Sequence, residues 1–293
     1  MAYMKPAQKL IKRVDAYQQR HRLSGFSYAV IKKYGDDRAG YWAALLTYYG
    51  FLALFPLLMI LTTVADNTLS NYPELEKAVL ESVTDYFPVL GNQLTAHING
   101  LQSNGFALLA GILFTLYGIR GVADVFRQGV RKIWGFKSKP ADSFFTGLMR
   151  SFAIIIVGGL GFIAASVMAS LAAAAGQGWV FRLASLSLNL IILFALFNFL
   201  IKASLPRHVT LKETWLGAAC AAVGLVILQV LGGYILTREL RHLDALYSYF
   251  ALTLGLLFWI YLQAQTIYYA NEIAVVSSKK LWPRSFTADK NKN

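Results

Sequence analysis

Six predominantly apolar stretches recur along the chain. They lie near 42–65 ("WAALLTYYGFLALFPLLMILTTVA"), 105–124, 148–175, 182–201, 213–236 and 246–271. A helix needs roughly 20 mostly apolar residues to cross the ~30 Å hydrocarbon layer of a bilayer. Backbone groups in lipid must be satisfied internally, so such stretches are helices. Barrel-type alternation of apolar and polar residues is absent. The pattern predicts an all-α polytopic membrane protein with six transmembrane helices. The second stretch is the weakest, because its uninterrupted apolar part is short.

Lysine and arginine sort by side when six spans are assumed. Lys5, Lys9, Lys12, Arg13, Arg20, Arg22, Lys32, Lys33 and Arg38 precede the first span. Arg120, Arg127, Arg131, Lys132, Lys137, Lys139 and Arg150 lie between the second and third. Lys202, Arg207 and Lys212 follow the fourth, and Lys279, Lys280, Arg284, Lys290 and Lys292 follow the sixth. The other side carries Lys77, Arg182, Arg238 and Arg241, beside Asp66, Glu74, Glu76, Glu81, Asp85, Glu239 and Asp244. Both termini are therefore expected in the cytoplasm. An odd number of spans would destroy the sorting.

Composition agrees. Of 293 residues, 56% are hydrophobic and 15% charged, against about 25% charged in soluble domains. The net charge of +13 falls in the cytoplasmic collar, where anionic headgroups account for it without nucleic acid. Three regions are expected: a basic amphipathic region over 1–40, a six-helix domain over 41–276 and a basic tail over 277–293. No apolar core of a cleavable signal stands in the first 40 residues. Residues 5–34 mix aromatic and basic positions, as a helix lying on the inner leaflet does. The outer loop, 66–104, suggests short amphipathic helices that either cap a cavity mouth or form a solvated connection. Pro56 should kink the first span.

Recognisable catalytic parts are missing. His21, His97, His208 and His242 are scattered, Cys220 stands alone as a small core residue, and neither metal-ligand spacing nor a nucleophile elbow occurs. No cofactor and no metal are expected. "GGLGFIA" at 158–164 lacks the context of a dinucleotide fingerprint and reads as close packing, with Gly161, Ala165, Ala169 and Ala173 on one face. Gly217, Ala221 and Gly224 form a similar stripe in the fifth span. No internal repeat is evident.

Two polar rows stand out. Tyr261, Gln265, Tyr268 and Glu272 are spaced i, i+4, i+7, i+11, on one face of the last helix. They either line a wet cavity or are interfacial tyrosines with a Glu at the rim. Arg120, Asp124, Arg127 and Arg131 repeat the spacing, and Gly111, Gly118 and Gly129 fall nearly in line. From Gly105 to Ile119 is 15 residues, about 22 Å, short of a crossing. The helix should continue past Arg120, which places Arg120 and Asp124 at or within the cytoplasmic rim. Arg120 then meets Asp124, Glu272 or a lipid phosphate, or the span begins nearer Leu101 and Arg120 snorkels. Arg127, Arg131 and Lys132 are candidates for anionic headgroups.

Three stretches carry a family resemblance: "ALLTYYGFLALFPLL", "LYGIRGVADVFRQGVRKIWG" and "YSYFALTLGLLFWIYLQAQTIYYANEI". The chain resembles the YihY family of bacterial inner-membrane proteins, also called the virulence factor BrkB family, some of whose members were once labelled ribonuclease BN. Tyr48, Tyr49, Leu54, Phe55 and Pro56 match its tyrosines and Leu-Phe-Pro turn. Leu257, Trp259, Tyr261 and Glu272 match its Leu-x-Trp-x-Tyr and terminal Glu. Ala270 and Asn271 replace its Gly-Ala, Arg131 stands where it has Asn, and Ala53 where it has Ser. The resemblance implies a six-helix inner-membrane protein with cytoplasmic ends and no settled activity.

The leading expectation is a transporter or flippase-like protein for an amphipathic, anionic lipid or glycolipid. Its partners would be membrane lipids and, in one arrangement, further copies of itself, with no nucleic acid. A non-transporting scaffold of envelope machinery is the alternative. An RNA-processing enzyme comes third, for want of any acid–base or metal cluster.

Overall fold

In a computed structural model, residues 20–68, 105–136, 179–206, 208–239 and 245–284 are described. They form six helices: α1 (Arg22–Asp36), α2 (Ala39–Thr68), α3 (Gly105–Ile133), α4 (Trp179–Ser204), α5 (Leu211–Glu239) and α6 (Ala245–Ser278). No strand occurs among the described residues. The expected third span, residues 5–19, most of the outer loop and the tail beyond Arg284 lie outside them.

Each described break between helices has a local cause. At the end of α1, Asp37 N–H donates to the Lys33 carbonyl at 2.9 Å, and Arg38 turns the chain at φ 53°. At the end of α3, Phe136 N–H reaches back to the Arg131 carbonyl and Gly135 N–H to that of Lys132, both at 2.9 Å. This is a Schellman cap, and Gly135 supplies its left-handed residue at φ 77°. α6 ends the same way: Leu281 N–H donates to the Val276 carbonyl at 3.0 Å, but Lys280 occupies the left-handed position at φ 50°. α5 opens on a capping box, with Thr210 N–H donating to Glu213 Oε2 at 2.8 Å.

α2 and α3 form the most extensive helix pair, followed by α5 with α6, α4 with α5, and α2 with α6. Small residues permit the approach. A methyl placed on Gly118 would come 2.7 Å from Ala53 Cβ and 2.9 Å from its backbone. One placed on Gly129 would come 2.6 Å from the Tyr268 ring. The aligned glycines of α3 thus serve two partners, α2 at one level and α6 at another. The expected stripe in α5 packs on α6, with Gly217 against Ala270 and Ala274 and Gly224 against Thr266. Cys220 is partly buried beside this core.

α2 runs without interruption through Pro56. Side chains from Phe55 onward in α2 lie outside the described residues, and so does the kink expected there. Large apolar side chains face outward on several helices, among them Leu113, Phe114, Ile191, Trp215, Ile227 and Phe258. An outward apolar surface of this extent needs a covering other than water. Among the described residues, Leu186–Ser204 and Leu211–Gln229 are long and apolar enough to cross a membrane.

Candidate functional site

α3 continues unbroken past Arg120 and Asp124 to Ile133, and its Gly118 and Gly121 meet α2. Arg120 Nε lies 3.6 Å from Asp124 Oδ2, and Arg127 donates from Nη2 to Asp124 Oδ1 at 3.2 Å. The carboxylate thus stands between two guanidiniums a helical turn to either side. All three side chains are half-buried, 20–24% exposed. A tyrosine cluster adjoins them. Tyr49 lies directly over Gly121, with its ring 5.2 Å from Tyr48 and 6.1 Å from Tyr117. The Tyr48 and Tyr117 rings are open to the outside, at 58% and 55% exposure.

Register places this cluster. Gly121 meets Tyr49 and Gly118 meets Ala53, so α2 and α3 run antiparallel. Tyr49 is ten residues into α2 from Ala39, about 15 Å along its axis. Arg120 and Asp124 therefore lie near the level reached about 15 Å along α2, with Arg127 nearer the α2 start.

Glu272 belongs to a different level. Its carboxylate, 0% exposed, holds Lys33 of α1 with Nζ 2.9 Å from Oε2. The same ammonium donates to the Ile133 carbonyl at 2.7 Å and pairs with Asp37. Ile133 lies 13 residues beyond Arg120, about 20 Å along α3. Of the partners considered for Arg120, Asp124 is the one beside it, and distance along the helix rules out Glu272.

Lys33 is one of two lysines at the end of α3. Lys279 of α6 donates to the Trp134 carbonyl at 2.6 Å. Two cations from opposite ends of the chain thus satisfy its terminal carbonyls, at the negative end of its dipole. The Trp134 indole N–H reaches the buried Asn271 Oδ1 at 3.5 Å. Burial pushes the Glu272 carboxyl up to about 8, although the Lys33 ammonium pulls the other way. Burial, reinforced by the positive charge of Lys33, pushes the Lys279 amine down.

Of the rest of the last helix's polar row, Tyr261 and Gln265 are partly exposed and Tyr268 is wholly buried, with its ring over Gly129 and its hydroxyl donating to the Val125 carbonyl at 3.2 Å. Tyr268 seals the α3–α6 seam, against the cavity wall that was one of the two expectations for this row. Tyr261 lies with Tyr34 around Gly40, and Gln265 turns toward Tyr34, which stacks on Tyr269 at 3.8 Å. Of the headgroup candidates, Arg127 joins the Asp124 pair, Lys132 is exposed and Arg131 is half-buried with its Nε enclosed.

Sequence reasoning passed over Lys33, Lys279 and Asn271. A signal for Lys33 was present. It continues the row of Gly25, Ala29 and Val30, a lone cation on the small apolar face of α1.

The segments that build both clusters lie within residues 30–292, which match the family model described as virulence factor BrkB. The chain belongs to the virulence factor BrkB family. Among curated BrkB-like relatives, it is 26% identical over 276 residues to "Inner membrane protein YhjD" of Escherichia coli (strain K12), covering 85% of this chain and 80% of that protein. It is 24% identical over 273 residues to an uncharacterized protein of Dickeya dadantii (strain 3937), covering 84% and 81%. No solved structure matches this BrkB-family chain.

Proposed function

We propose that this BrkB-family chain is a multi-pass protein of the bacterial inner membrane, with six spans and both termini in the cytoplasm. In this reading it moves an amphipathic, anionic lipid or glycolipid. The membrane assignment is supported by the outward apolar surface, the one-sided Lys/Arg distribution and the printed name of the Escherichia coli relative.

One observation carries the transport reading: the half-buried Arg120–Asp124–Arg127 group on α3, beside the Tyr49 ring over Gly121. Ionisable groups at such depth are costly and mark substrate or ion paths by default. The group carries one net positive charge, suited to an acidic headgroup. Tyr48 and Tyr117 flank it with amphipathic rings that tolerate both headgroup and acyl chain. A headgroup would travel past this group with its tails in lipid, and the sealed α3–α6 seam would not need to open.

Purified protein in liposomes, assayed for movement of a labelled anionic phospholipid between leaflets, tests the reading. Wild type should accelerate movement and Arg120→Ala should lose most of that acceleration. If Arg120→Ala and wild type move lipid equally, the group has no such role.

The packed Tyr268 seam favours a second reading, a scaffold of envelope machinery that moves nothing. A wild-type protein that is folded in liposomes and inert toward every labelled lipid supports it.

A further inference from the structure

Glu272 is a buried acid at the junction of α1, the end of α3 and α6. Lys33 donates to Asp37 and to the Ile133 carbonyl, and its Nζ stands 2.9 Å from Glu272 Oε2. One ammonium serves two carboxylates, so the group carries a net charge of −1 when both acids are ionised. Glu272 Oε1 is buried with no hydrogen-bond partner. A buried surplus negative charge with an unmatched oxygen is expensive, and a proton on that carboxylate removes the cost.

The surrounding groups do not offer another remedy. Lys33, Asp37 and Arg284 act on Glu272, and Tyr34 lies within electrostatic reach. Arg284 is paired with Asp36 at 3.2 Å, and Lys279 is committed to the Trp134 carbonyl. Tyr268 on α6 donates to Val125. Arg131 and Lys132 on α3 and Arg38 before α2 are further charged residues of the elements packed around it.

α1 is the cover over this acid, seated by a set of contacts that includes Tyr34 stacked on Tyr269 and the Asp36–Arg284 pair. Ala29 and Val30 pack on Val276, with Phe26, Tyr269, Ile273 and Trp282 around them. Its outer side exposes Leu23 at 86% and Ile31 at 61%. A 15-residue helix held this way can lift as a unit.

We propose that Glu272 is a proton-binding site tied to the seating of α1, holding a proton while α1 covers it and releasing it when α1 lifts away. The covered acid titrates at about 8, and the same acid in water near its ordinary 4.5. The seated state binds the proton more tightly, so acidification favours seating and alkalinity favours release. This inference does not depend on lipid movement.

The test uses the full chain in nanodiscs, with Cys220→Ala and spin labels at Ser27→Cys on α1 and Lys212→Cys at the start of α5. The inter-label distance should lengthen as pH rises between 4.5 and about 8 and level off above that. Glu272→Gln should hold the short distance at every pH. Lys33→Met removes the cation that favours ionisation and should move the midpoint up by about one unit or more. A wild-type distance that is constant from about pH 4 to about pH 9 overturns the proposal. So does an unchanged transition in Glu272→Gln. If that variant fails to fold, a Lys33→Met midpoint that stays in place or falls overturns it.

Discussion

Lys33 Nζ stands 2.9 Å from Glu272 Oε2, and both side chains are buried, at 8% and 0% exposure. The pair joins the first described helix to the last across the end of α3. Its two halves are not equivalent. Without Lys33, Glu272 keeps an unpaired buried carboxylate; without Glu272, Lys33 keeps Asp37 and the Ile133 carbonyl. Breaking a buried pair by removing one partner costs about 3–5 kcal/mol. Lys33→Met should therefore destabilise the protein by roughly that amount at high pH. Glu272→Gln should cost clearly less. Thermal unfolding in detergent at one pH compares the two, and a double variant should cost less than the sum of the singles.

The pH dependence of stability follows from the raised Glu272 carboxyl. Between 4.5 and about 8 the folded chain holds a proton at Glu272 that the unfolded chain does not. Stability should therefore fall as pH rises through that window, by up to about 1.4 kcal/mol per unit from this group. Below 4.5 both states are protonated and above about 8 both are ionised, so the slope vanishes at each end. Melting temperatures of wild type and Glu272→Gln across this range should diverge, with wild type showing the steeper loss.

Gly118→Val should be worse than Gly129→Ala. The added atoms at Gly118 meet the Ala53 backbone, which cannot step aside without moving α2. At Gly129 the obstacle is the ring of Tyr268, a side chain that can shift by giving up its bond to Val125. Overpacking costs about 1–3 kcal/mol, and the Gly118 variant belongs at the upper end or beyond. Expression yield and melting temperature in detergent read the difference.

The helix ends give a paired expectation. Gly135→Ala places a side chain at φ 77° and should cost about 1 kcal/mol. Lys280→Gly relieves the same conformation at φ 50° and should stabilise the end of α6 by a few tenths of a kcal/mol, as glycine's greater chain entropy offsets part of the gain. Chemical denaturation in mixed micelles measures both.

Much of this architecture is legible in the sequence. Five of the six apolar stretches coincide with described helices, because length and apolarity suffice to mark them. The continuation of α3 past Arg120 was expected because the 15-residue apolar run before it is too short to cross, and the four-residue spacing made Asp124 one of the candidate partners. The level of Glu272 did not follow. Periodicity says which face a residue occupies, but not how far along its axis a neighbouring helix has slid. The same limit explains Tyr268. Its face was predicted, whereas the closed seam depends on Gly129 arriving opposite it. Lys33 escaped notice for a different reason, since its basic neighbourhood looked like a solvated or lipid-facing surface and hid a cation that points inward.

The two lysines at the end of α3 carry a consequence for biosynthesis. The ribosome finishes α3 long before it reaches Lys279, and the Trp134 carbonyl waits for that residue. Lys33 is made early, yet its acidic counterpart Glu272 follows 239 residues later. This junction therefore cannot close until α6 has been translated. A chain cut short before Glu272 would leave Lys33 without that carboxylate and the end of α3 unfinished, a lesion that proteases could recognise.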